Sequence, residues 1–122
     1  MIEPELFRAE GVLTLFPKGA LTAADFAEVA ALVDPYIESN GRLRGIMIRA
    51  AHFPGWEGFA GLVSHVRFVR EHEKRVARVA VCTDSPLLGL APALADKFVA
   101  AEVRSFPFIE HNEAFAWLAA AS

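Results

Sequence analysis

Residues 45–82 read GIMIRAAHFPGWEGFAGLVSHVRFVREHEKRVARVAVC, and the fold turns on them. Gly45 to Ala50 is a short apolar run of the kind that forms a buried, parallel strand. A loop holding Pro54, Gly55 and Trp56 follows. From about Glu57 to Lys74, Phe59, Leu62, Val63, Val66 and Val69 recur at helical spacing and predict an apolar stripe. Val76 to Cys82 is a second buried strand. A strand, a helix and a strand in this order form a crossover unit, with the two strands parallel and the connection right-handed.

The same alternation extends to both sides. Upstream, apolar runs at Leu6-Phe7-Arg8 and Val12 to Phe16 flank Glu10-Gly11 and predict a β-hairpin closed by Pro17, Lys18 and Gly19. A helix opens at Thr22, whose hydroxyl caps it while Asp25 stands at the acidic third position. Phe26, Val29, Ala30 and Val33 make its buried stripe. Pro35 predicts a kink or a restart after Asp34, and Asn40-Gly41 closes the segment. Downstream, Thr83-Asp84-Ser85-Pro86 opens a helix to about Val99, Glu102 to Phe106 is a last strand, and a helix runs from about Glu110 to Ala120. The predicted order is ββαβαβαβα: an α/β fold with an N-terminal hairpin and a mainly parallel sheet.

At 122 residues the chain suits one domain, 1–122, with no repeat or linker. An apolar fraction of 54% and a charged fraction of 22% describe a folded chain. The net charge of −3 is spread without a basic stripe, which argues against nucleic acid as a partner. Lone Cys82 fits a reducing compartment. The acidic start Met1 to Glu5 is unlike a secretion signal, and no apolar run approaches the roughly 20 residues that span a bilayer. A cytoplasmic protein is expected.

Several stretches resemble the SpoIIAA-like family, small bacterial domains related to the STAS fold of anti-sigma-factor antagonists. They are Gly19-Ala20-Leu21-Thr22, Phe53-Pro54-Gly55-Trp56, the strand Arg75 to Val81 ending in Thr83-Asp84, and Ala101 to Phe106 with Glu113 to Leu118. The resemblance implies a four- or five-stranded sheet with its strands in sequential order, and a non-enzymatic module that binds protein partners or small ligands. In the antagonist branch a serine at the start of the second helix is phosphorylated. Here the matching stretch, Ala51 to Gly58, holds no Ser or Thr, and Ser85 comes one strand too late, so the phospho-switch is not expected.

Ligands of open α/β sheets sit beyond the carboxyl ends of the strands. Those loops and the helix over 86–99 make His52, Phe53, Trp56, Glu57, Thr83, Asp84 and Leu88 the candidate ligand-binding residues, for a protein partner or a small apolar, lipid-like ligand. From Pro86 to Ala95 that helix carries no charge, which suits a lid or partner surface, or more simply a helix packed between neighbours. Cys82 with His52 and Asp84 would make a thiol enzyme; a buried strand thiol acting as a small hydrophobe is the simpler reading, and Asp84 reads as a helix cap. No catalytic residue, metal or cofactor is expected: His65 and His72 lie about 10 Å apart along one helix, too far to share an ion. Gly55, Gly58 and Gly61 let the helix approach a neighbour closely or leave backbone N–H groups for an anion, the first being favoured. Phe68 falls opposite the predicted stripe, so it is either a contact in a homodimer, together with Leu88, or packed on an adjacent helix.

Overall fold

Gly11 reverses the chain. It takes φ +69°, a conformation glycine adopts without strain, and its N–H donates to the Phe7 carbonyl at 2.9 Å. The turn joins β1 (Ile2–Phe7) to β2 (Val12–Pro17) in antiparallel register, with Phe7 opposite Val12 and Ile2 opposite Pro17. β1 begins at Ile2, earlier than the apolar run at Leu6 indicates. It is an edge strand, where exposed Glu3 and Glu5 and ladder-poor Pro4 are tolerated and blunt further pairing. The computed structural model describes residues 1–52, 54–84 and 101–121. Phe53 and the helix expected over 86–99, with Leu88, lie outside the described residues.

Among the described residues, five strands form one sheet in the order β1-β2-β3-β4-β5, with β3 at Leu43–Arg49, β4 at Val76–Cys82 and β5 at Glu102–Phe106. Every pairing after the hairpin is parallel. The three helices among the described residues are α1 (Ala23–Asn40), α2 (Gly58–His72) and α3 (His111–Ala119). The predicted α/β class, hairpin and mainly parallel sheet are all present.

The Thr22 cap forms as a reciprocal pair: the Asp25 N–H donates to Thr22 Oγ1 at 3.2 Å, and the Thr22 N–H to Asp25 Oδ2 at 2.8 Å. Pro35 does not restart α1, which runs continuously from Ala23 to Asn40 and is capped by Gly41 at φ +89°. Pro35 and Ala31, whose carbonyl the missing N–H would have met, both lie on the exposed face, where the freed acceptor is open to solvent.

Two apolar layers flank the sheet. α1 and α2 cover one face, where Leu13, Leu15, Phe26, Val29, Val33, Ile37 and Ile46 are buried together. α3 covers the other, with Val12, Met47, Ala80, Cys82, Phe106, Ala114 and Leu118. Of the stripe expected on α2, the Phe59 and Leu62 side chains lie outside the described ones, and Val63 and Val69 are half-buried. Val66 is 42% exposed, while Gly61, His65, Phe68 and His72 follow one another at helical spacing along the face toward α1. The His65 ring stacks on Phe26 with centroids 4.9 Å apart, and the His72 ring on Phe68 at 4.1 Å. Flat histidine rings here do what aromatic hydrocarbons usually do in a helix interface.

Candidate functional site

The carboxyl ends of the parallel strands line up one row of side chains. Arg49 pairs with Cys82 and Cys82 with Phe106, and Phe16 follows the Leu15–Ile48 pair on the other side. The loops beyond are tied to this row. Ala50 N–H donates to the Cys82 carbonyl (3.1 Å), Thr83 N–H to the Phe106 carbonyl (3.0 Å), and Asp84 N–H to the Ala51 carbonyl (3.1 Å). Thr83 Oγ1 donates to the same Ala51 carbonyl at 3.2 Å. Asp84 Oδ1 accepts from the Phe108 N–H at 3.1 Å, so this carboxylate braces the β5–α3 connection. Thr83 and Asp84 thus sit at a rigid edge, as the strand alternation predicts, with exposed His52 beyond it.

Arg49 is the residue that sequence reasoning passed over. Its guanidinium lies 4.8 Å from the Phe16 ring centroid and 5.7 Å from that of Phe108. Its Nε is buried with no hydrogen-bond partner, and among the described residues no carboxylate comes within ion-pair distance of it. Two aromatic faces offset part of the cost of burying a cation, and the unsatisfied N–H remains open to an acceptor. The available signal was a cation in the otherwise apolar run Gly45 to Ala50, at the edge where open α/β sheets receive ligands.

Cys82 is fully buried. Burial pushes its thiol pKa up; Arg49 pulls the other way and Glu110 adds to the rise. The net direction keeps the sulfur protonated, the opposite of what a nucleophile needs. The charged groups acting on it are Arg49 and Glu110, not His52. Among the described residues, no three His, Cys, Asp or Glu side chains gather as metal ligands would.

Trp56 sits on a bridge to the β2–α1 connection. Leu21 and Trp56 form a parallel bridge through Leu21 N–H to Gly55 O (2.9 Å) and Glu57 N–H to Leu21 O (2.8 Å). The Trp56 Nε1–H donates to His65 Nδ1 at 3.0 Å, and the half-buried indole packs on the α1–α2 core. Glu57 is exposed beside it. Phe68 is half-buried, with its ring 6.1 Å from Phe26 and stacked on His72. Gly61 also has a packing reason, since a Cβ there would overlap the Leu21 carbonyl oxygen.

His65 sets a pH dependence. Its Nδ1 must be bare to accept from Trp56, and burial holds its pKa below the ordinary histidine range. The folded protein therefore binds this proton less readily than the unfolded chain. The contribution is complete above about pH 6.5 and is lost as the pH falls through the lowered value. Urea unfolding at a series of pH values is expected to show a steeper acid loss in the native protein than in His65→Asn; equal slopes would contradict this assignment.

The sequence profile of the SpoIIAA-like proteins matches residues 12–119. The chain belongs to the SpoIIAA-like family. The fold agrees: a crystal structure of an uncharacterized protein with a SpoIIAA-like fold from Shewanella loihica PV-4 superposes with a TM-score of 0.72. It is 21% identical and covers 97% of this chain and 92% of its own. No curated protein matches the chain. This SpoIIAA-like domain starts α2 at Gly58, and the residues leading into it carry no hydroxyl side chain. No helix among the described residues is long and apolar enough to cross a membrane.

Proposed function

We propose that the chain is a non-enzymatic binding module of STAS type, which seats an acidic group of a small apolar ligand or of a partner protein against Arg49. The observation that carries this reading is the buried, unpartnered Nε of Arg49 between two phenyl rings at the edge where open α/β sheets receive ligands. A carboxylate there would gain a charge-assisted hydrogen bond, and an apolar body would find Phe16 and Phe108 beside it. Thr83 and Asp84 stand at the same edge, tied to Ala51 and Phe108. Enzyme chemistry has no support in the row itself, because burial keeps the thiol protonated.

Native mass spectrometry of freshly purified protein tests the reading. A bound acid-headed molecule, or a mass gain on adding a saturated fatty acid, is expected for the native chain and is lost in Arg49→Met, which keeps the length of the stem but not the charge. Protein that gains no mass under either condition removes the small-ligand form. A Cys82 thiol that reacts with a thiol reagent before denaturation would reopen the thiol-enzyme reading.

A further inference from the structure

A second cluster of cations stands at the opposite end of the sheet. We propose that the pocket between the hairpin turn, the last turn of α1 and the start of β3 binds a small phosphate monoester through Arg8, Arg42 and Arg44. The pocket is an open cleft of about 350 Å³, lined by these three arginines with Glu10, Tyr36 and Asn40. That size is near the lower end of small-molecule sites and matches a phosphate on a small polar body.

The charges there are out of balance. In a chain of net charge −3, three guanidinium groups share this pocket with one carboxylate. Among the described residues none of the three has an ion pair or a side-chain hydrogen bond. Like charges held together without counter-charges repel, and a dianion placed among them reverses the sign of that interaction. Arginine forks match the oxygen spacing of phosphate in bidentate contacts, and a phosphate monoester has charge enough for more than one.

The backbone holds this shape open. The Tyr36 hydroxyl donates to the Arg8 carbonyl at 3.0 Å and anchors the turn to α1. The Gly11 carbonyl accepts from Arg44 N–H at 2.9 Å and Gly45 N–H at 3.3 Å, which anchors the turn to β3. At Gly11 a Cβ would come 3.2 Å from Tyr36 Oη and 3.6 Å from Arg44 Cγ, filling the floor of the pocket. Arg42, just before β3, and Arg44, its second residue, line the cleft together with Arg8.

Arg44 and Arg49 are separated by about 16 Å of extended strand, so this site stands or falls independently of the carboxyl edge. The test titrates the full chain with inorganic phosphate and with glycerol phosphate while amide shifts are followed by NMR. Saturable shifts at Gly11, Arg42 and Arg44 are expected with both probes, tighter with glycerol phosphate. The double variant Arg42→Gln/Arg44→Gln, altered only at exposed side chains, is expected to weaken binding by about tenfold or more. No saturation at those amides up to tens of millimolar, or equal affinity in the double variant, overturns the proposal.

Discussion

Leu118→Ala is expected to cost about 2–5 kcal/mol of unfolding free energy, toward the upper end of that range. Leu118 is fully buried on the inner face of α3, and its side chain occupies the space that a Cβ on Gly45 of β3 would need. Truncation leaves a void facing a glycine, which has no side chain with which to close it. The same geometry predicts a coupling. Gly45→Ala alone destabilises, because its Cβ would come 2.5 Å from Leu118 Cδ2 and 2.8 Å from Leu118 Cβ. In the Leu118→Ala background that methyl enters the void and the penalty shrinks or reverses. Denaturant unfolding of the two single variants and the double variant reads this directly, and strict additivity would contradict the packing.

The second large effect is at Gly61. Alanine in place of glycine ordinarily favours a helix by about 1 kcal/mol. Here the sign is expected to invert, with a net loss of about 2–3 kcal/mol. The added methyl would overlap the backbone carbonyl of Leu21, and backbone atoms have no rotamer to escape into. α2 must then move off the β2–α1 connection, straining the Leu21–Trp56 bridge and the hydrogen bond from Trp56 to His65. A stability gain in Gly61→Ala, measured by the same unfolding, would show that α2 does not approach Leu21 so closely.

These two glycines mark the limit of what the sequence makes legible. The alternation of apolar strands and amphipathic helices is local information, and it yields the parallel sheet, the hairpin and the Thr22 cap. Which α2 residues meet α1 is not local. Counting His65 and His72 as polar directs attention to the valines, whereas stacking on Phe26 and Phe68 puts the histidines on the packing face. The Trp56 hydrogen bond is equally non-local, since its N–H partner lies nine residues on in the next helix. At the candidate site, Thr83 and Asp84 follow from the strand order alone. Arg49 does not, because its meaning comes from Phe16 on the neighbouring strand and Phe108 beyond β5, contacts that no window along the chain contains.

Amide shifts of the isotopically labelled chain during titration with dodecanoate bear most directly on the role given to Arg49. Movement is predicted at residues 49–52, 83–84 and 106–108, saturating together and disappearing in Arg49→Met. Unmoved amides at that edge, or equal shifts with the arginine gone, would contradict an acid-binding carboxyl edge.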